Sequence, residues 1–79
     1  MADIISPLPG IFYRKPGPDK DPYAIEGDLI EASQTIGVVE IMKQFSEIRS
    51  DVSGRLERFL IDDSGTVNPG DIIAIVSEG

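Results

Sequence analysis

Three lysines, Lys15, Lys20 and Lys43, supply the primary side-chain amines of this 79-residue chain. The sequence has neither cysteine nor histidine, so thiolate nucleophiles, disulfides and the usual zinc and general-base chemistry lack their residues. Lysine differs from arginine in offering a primary amine on a long flexible stem, to which another group can be joined by an amide bond. We therefore expect no metal or nucleophilic catalysis.

Lys43 lies between two segments with strand character, whereas Lys15 and Lys20 lie in a proline-rich stretch. Residues 35–41 are rich in β-branched side chains, and residues 45–49 alternate apolar with polar. Two strands that meet at Met42-Lys43 predict a hairpin, although no Asn-Gly or Asp-Gly marks the turn. A lysine in a turn is commonly just a solvated side chain, so its position alone leaves both interpretations open.

The remaining segments with strand character are short, and the chain shows no helical period. A chain of 79 residues allows one domain, spanning 1–79, with a small core. The first two strands should be edge-like, residues 62–65 should form a loop, and the residues from 14 to 22 contain three prolines that exclude a regular strand or helix. The strands are predicted at residues 4–5, 11–13, 29–30, 35–41, 45–49, 55–61 and 72–76.

Two parts of the chain resemble each other. Residues 10–13 are similar to 54–57, and residues 30–39 are similar to 67–76. There are 29 positions from 10 to 39 but 22 from 54 to 76, and the seven extra residues fall in the proline-rich stretch. The pattern predicts an all-β sandwich or flattened barrel whose halves are related by a pseudo-twofold axis, with an inserted loop in the first half.

The formal charge of -7 argues against a nucleic-acid partner, because phosphates require clustered lysine and arginine. We interpret the charge as favouring solubility rather than as an acidic docking face. No stretch approaches the roughly twenty apolar residues of a membrane span, and the first three residues do not resemble a signal peptide. We expect no membrane partner and a cytoplasmic location.

The hairpin segment resembles a known signature. Glu-Ile-Met-Lys-Gln-Phe at residues 40–45 is similar to the E-A-M-K-M motif of biotin carboxyl carrier domains, in which the lysine between two methionines is biotinylated. Glu40, Met42 and Lys43 match this motif, whereas Ile41 and Gln44 depart from it.

Residues 6–19 resemble the S-P-x-x-G-x-F-Y-R-x-P-x-P-D opening of the carrier domain of bacterial acetyl-CoA carboxylase. That opening includes the start of a loop called the thumb. Ser53-Gly54 and Gly65 also fall where the family has such residues, and the similarity extends from about residue 6 to residue 76. It therefore covers nearly the whole chain.

The resemblance implies two four-stranded antiparallel sheets, a thumb at about residues 14–22 that contacts the attached cofactor, and Lys43 at the far end of the molecule from Val76. It also implies a non-catalytic carrier with covalent biotin. The expected partners are biotin-protein ligase, biotin carboxylase and a carboxyltransferase that passes the carboxyl group to acetyl-CoA, forming malonyl-CoA for fatty acid synthesis. The residues implied for the cofactor site are Lys43 for attachment, with Glu40, Met42 and Gln44 around it.

Three alternatives stay open: the carrier of a paralogous carboxylase, a lipoyl carrier, and an unmodified interaction module. Lipoyl domains usually carry Asp-Lys, so Met42 favours biotin. Met42 and Phe45 could instead be ordinary packing residues at a strand end, and Glu40 a solvated strand residue. The family commonly has glycine and aspartate where this chain has Ser33 and Gln34, so this turn lacks its permissive residue.

Overall fold

The computed structural model describes residues 1–17 and 19–78. Within these ranges the chain forms strands joined by turns and loops, and no helix is present that could cross a membrane. The all-β prediction is confirmed. The eight strands are β1 (Ala2–Ile5), β2 (Gly10–Tyr13), β3 (Leu29–Ile30), β4 (Thr35–Ile41), β5 (Gln44–Arg49), β6 (Gly54–Phe59), β7 (Gly65–Val67) and β8 (Ile72–Ser77).

The strands form two four-stranded antiparallel sheets, in the orders β1-β8-β6-β3 and β5-β4-β2-β7. Exchanging β1–β4 with β5–β8 converts one order into the other, which is the predicted pseudo-twofold relation. Side-chain hydrogen bonds repeat in the same way. Ser6 Oγ donates to the Leu8 carbonyl at 2.7 Å, and Ser50 Oγ donates to the Val52 carbonyl at 2.6 Å. The internal similarity in the sequence is thus a repeat in the structure.

The core lies between the sheets and draws apolar side chains from both halves. The rings of Phe12 and Phe59 pack against each other in this core, with centroids 5.8 Å apart. Gly37 leaves room for this pair, because a Cβ at that position would overlap the Phe12 ring. The buried cluster consists of Ile4, Phe12, Ala24, Ile30, Ile36, Val39, Ile48, Leu56, Phe59, Val67, Ile73, Ala74 and Val76.

Three strand predictions were wrong in detail. β2 is not an edge strand, because it lies between β4 and β7, whereas β1 is an edge as predicted. β7 begins at Gly65, where the sequence predicts a loop, and continues to Val67. β6 ends at Phe59 rather than at residue 61. The described residues of the thumb form bends and turns without a strand, as predicted, and Pro18 lies outside the described residues.

The turn before β4 has Ser33, rather than glycine, in a left-handed backbone conformation. Ser33 has a φ of 74°, and Gly70, its counterpart in the second half, has a φ of 92°. The two backbone N–H groups make equivalent hydrogen bonds, from Ser33 to the Ser50 carbonyl at 2.7 Å and from Gly70 to the Ser6 carbonyl at 2.9 Å. The turn therefore keeps the geometry of its counterpart while placing a side chain in the left-handed region.

We expect Ser33→Gly to increase the free energy of unfolding by about 0.5 to 1 kcal/mol, because it removes left-handed strain and keeps the hydrogen bond. Urea unfolding measures the change. Gly70→Ser is the matched control at the symmetric turn, and it should destabilise the protein by a similar amount. Two changes of the same sign would contradict the equivalence of the turns.

Candidate cofactor-attachment site

The turn between β4 and β5 consists of Met42 and Lys43, and Ile41 pairs with Gln44 on either side of it. The φ angles are 51° at Met42 and 67° at Lys43, as in the two-residue type I′ turn that suits the twist of a hairpin. The predicted hairpin is confirmed. Its turn uses neither glycine nor asparagine, and each left-handed residue costs about 1 kcal/mol, which cross-strand pairing must offset.

The side chains at this turn point into solvent. Met42 is 91% exposed, and Lys43 and Gln44 are exposed as well. Packing at the strand end, the alternative considered for Met42, is therefore wrong. Among the described residues no hydrogen bond or ion pair engages the Lys43 amine, so this amine is accessible to a modifying enzyme and available to form an amide.

Glu40 and Phe45 lie opposite each other one residue pair below the turn. Phe45 is 61% exposed, so it is not a core residue, and its ring lies 6.5 Å from the ring of Tyr13. Glu40 is half-buried rather than simply solvated. Partial burial, followed by the Glu40 carboxylate and then by that of Asp63, raises the pKa of the Tyr13 phenol. A tyrosine phenol is protonated at neutral pH, and a raised pKa keeps it so, which leaves its O–H group available as a hydrogen-bond donor.

A cleft of about 500 Å³ opens beside these residues. One wall comes from strands β2, β4 and β5, a second from the thumb, and a third from the loop between β6 and β7. Its lining combines two aromatic residues with acidic and basic residues, and small-molecule sites commonly join aromatic surface to a few polar groups in this way. The lining residues are Tyr13, Lys15, Pro16, Gly17, Glu40, Phe45, Asp63 and Ser64.

The structure separates the four predicted site residues into two groups. Met42, Lys43 and Gln44 occupy the turn and its first flank, whereas Glu40 lies in the wall of the cleft. Sequence reasoning did not assign Tyr13 or Asp63 to the site. Tyr13 was visible in the Phe-Tyr-Arg motif, but no local signal marks Asp63, which reaches the cleft through the tertiary fold.

Comparison with known proteins gives the family. Residues 2–76 match the protein family described as biotin-requiring enzymes. The chain belongs to this family. The match covers all eight strands except the last residue of β8, and it includes the hairpin, the thumb and both halves of the repeat.

Several relatives are named biotin carboxyl carrier protein of acetyl-CoA carboxylase. The chain is 37% identical to that of Nostoc sp. over 67 residues, which are 85% of this chain and 37% of the relative. It is 36% identical to that of Chlamydia trachomatis, with 85% and 41% covered, and 36% identical to chloroplastic protein 2 of Arabidopsis thaliana, with 80% and 25% covered. The chain thus spans less than half the length of these relatives.

Two solved structures share the fold. The urea carboxylase of Kluyveromyces lactis superposes with a TM-score of 0.79 and 25% identity, covering 96% of this chain and 6% of that one. A succinylglutamate desuccinylase/aspartoacylase from Rhodobacter sphaeroides gives 0.71 and 21%, covering 98% and 22%, and shows the fold alone.

Substitutions at Met42 can distinguish the effect of turn strain on stability from the effect of this side chain on recognition by a biotin ligase. We expect Met42→Asn to stabilise the hairpin by about 1 kcal/mol, because asparagine tolerates the left-handed region, and to slow biotin addition to Lys43, because it removes an exposed apolar side chain next to the amine. Urea unfolding and the rate of mass addition measure the two effects. Met42→Leu, which keeps an apolar side chain, should change neither strongly. Faster addition to the asparagine variant would contradict a recognition role.

Proposed function

We propose that this chain is a biotin carboxyl carrier domain in which biotin forms an amide with the Nζ atom of Lys43. The observation that carries the proposal is the position of this lysine at the apex of a two-residue turn, exposed and held between two paired strands. Membership in the family of biotin-requiring enzymes and the Glu-x-Met-Lys sequence support it. The carrier itself is proposed to be non-catalytic.

The chain has two tasks in this proposal. The turn fixes the position of the Lys43 Cα, so that a ligase can recognise the local geometry. The lysine stem provides a flexible arm with a fixed maximum length. Bound biotin would supply a ureido nitrogen that accepts and releases a carboxyl group. Lys43 would hold biotin covalently, with Met42 and Gln44 beside the attachment point. Tyr13, Glu40 and Phe45 would receive its ring in the cleft, since they combine aromatic surface with hydrogen-bonding groups.

The proposed partners are a biotin-protein ligase, a biotin carboxylase and a carboxyltransferase, with acetyl-CoA as the acceptor. The names of the relatives support this assembly and acceptor. No nucleic-acid or membrane partner is proposed, and the cytoplasm remains the proposed location. The carboxyl group would travel between the two active sites on the Lys43 arm, since a domain of this size can approach each site in turn.

A carrier for a different biotin-dependent carboxylase is the second candidate. Two observations favour it: the superposition on urea carboxylase and the departures from the usual motif at Ile41 and Gln44. Transfer assays with the biotinylated chain distinguish the two candidates. Carboxyl transfer to acetyl-CoA by the cognate carboxyltransferase supports the first, and transfer to another acceptor alone supports the second.

Intact mass and peptide mapping after co-expression with a biotin ligase in excess biotin test the attachment. We expect one biotinyl addition, confined to the peptide that contains Lys43. A folded chain that gains no biotin in the presence of active ligase would overturn the proposal. Lipoyl addition under the corresponding conditions would identify a lipoyl carrier instead.

A further inference from the structure

The thumb is fastened to the rest of the molecule at one residue, Arg14. Among the described residues, the hydrogen bonds that join residues 14–22 to other parts of the chain all involve Arg14. The bond from Lys20 N–H to the Gly17 carbonyl, 3.2 Å long, lies within the thumb itself. The orientation of the loop therefore depends on what holds Arg14.

Arg14 binds the second half of the repeat through three contacts. Its backbone N–H donates to Asp63 Oδ1 at 2.7 Å, and its Nη2 donates to the Ile61 carbonyl at 3.2 Å. Its guanidinium carbon lies 4.3 Å from the centroid of the Phe59 ring, a cation–π arrangement. These partners are 45 to 49 positions away along the chain, at the end of β6 and in the loop that follows.

The same residue closes the neck of the thumb. The backbone N–H of Tyr23 donates to the Arg14 carbonyl at 2.9 Å, so the loop leaves and returns at one point. Lys15 and Gly17, just beyond this neck, line the cleft together with Asp63. Arg14 thus connects two of the three walls of the cleft.

The cost of placing Arg14 here argues against a purely stabilising role. Its Nε is buried without a hydrogen-bond partner among the described residues, and a buried unpaired donor is unfavourable. An apolar side chain could cover Phe59 without this cost, but it could not also bind the Ile61 carbonyl and set the direction of the thumb. The planar guanidinium can do both at once.

We propose that Arg14 is a positioning residue that holds the thumb against the cleft, so that the ring of the group attached to Lys43 can be received there. This inference rests on the proposed carrier function. Lys43 itself is on a separate turn, and its reactivity toward the ligase does not depend on Arg14. Loss of the Arg14 guanidinium should loosen the thumb and leave the hairpin unchanged, while the backbone hydrogen bonds of residue 14 with Asp63 and Tyr23 remain.

Hydrogen exchange by mass spectrometry, on the unmodified and the biotinylated full chain, tests this role. In the wild type, biotinylation should slow exchange in the thumb peptide. In Arg14→Gln, which removes the bond to the Ile61 carbonyl and the contact with Phe59, thumb exchange should rise by at least about twofold and the slowing caused by biotin should be reduced, while the rate of biotin addition changes less than twofold. Arg14→Lys, which keeps a cation near Phe59 but loses the planar fork, should be intermediate.

Arg58→Gln is the matched control. Arg58 occupies the position in the second half that corresponds to Arg14, and it is exposed. Its replacement should leave thumb exchange and the effect of biotin as in the wild type. Urea unfolding of each variant separates local release of the thumb from a general loss of stability.

Three results would overturn the inference: thumb exchange in Arg14→Gln that equals the wild type, exchange that rises equally in all strands, or wild-type thumb exchange that biotinylation does not slow. Failure of the proposed function would look different, because the mass of the wild type would then show no biotin addition. In that case increased thumb exchange in the unmodified Arg14→Gln chain would still support the role of Arg14 in holding the thumb, and unchanged exchange would exclude this role.

Discussion

Replacing Lys43 by arginine should abolish biotin addition and, with it, all carboxyl transfer. Arginine keeps the positive charge and the exposed position at the turn, but it offers no primary amine for an amide bond. The hairpin should be retained, because both residues are long and flexible and the pairing of Ile41 with Gln44 does not involve the side chain at position 43. Intact mass after co-expression with a ligase measures the addition, and circular dichroism checks the fold.

Lys15→Arg and Lys20→Arg are the controls, because they make the same chemical change in the thumb. Each should gain one biotin at a rate within about twofold of the wild type. Neither lysine lies at a two-residue turn between paired strands, so the ligase would lack the local geometry that Lys43 provides. Retained carboxyl transfer in the Lys43→Arg variant would contradict the carrier function and favour an unmodified interaction module.

Replacing Phe12 by alanine should lower the free energy of unfolding by about 3 to 5 kcal/mol. Phe12 is fully buried, and its ring contacts Phe59 and fills the space that Gly37 leaves open. Folded domains are stable by only about 5 to 15 kcal/mol, and a domain this small has a small core, so the loss is a large part of the total. Urea unfolding, followed by circular dichroism, measures it.

Phe45→Ala removes the same atoms from an exposed position and is the matched control. We expect a loss of less than about 1 kcal/mol, because Phe45 is mostly exposed and its ring centroid lies 6.5 Å from that of Tyr13. The two variants should differ in function as well. Phe45→Ala should stay folded, accept biotin and lose part of the biotin-dependent protection of the cleft. Equal destabilisation by both changes would contradict the assignment of Phe12 to the core and Phe45 to the site.

The separation of turn and cleft has a functional consequence. Lys43 is held by β4 and β5 alone, whereas the cleft is built from β2, β4, β5, the thumb and the loop after β6. In the proposed carrier, changes in the cleft should therefore alter how the attached group is received without altering its attachment. This is why the variants of Arg14 and Lys43 are expected to affect different measurements.

Local patterns in the sequence determined much of this protein. The β-branched residues 35–41 and the alternating residues 45–49 predicted the hairpin correctly, because strand preference and the burial of one face depend on local side-chain types and their alternation. The internal similarity predicted the pseudo-twofold relation and the inserted thumb. Lys43, the proposed attachment residue, stands out by its place between two strands and by the resemblance of its neighbours to a known motif.

The tertiary structure alone decided the features that depend on distant pairing. The strand β7 has three residues, too few for a period to be recognised, and it forms because it pairs with β2. The same pairing makes β2 a central strand instead of an edge. Met42 and Lys43 adopt left-handed conformations without glycine because the strands on both sides impose them. Asp63 enters the cleft by binding Arg14 across 49 positions, a contact that no local pattern encodes.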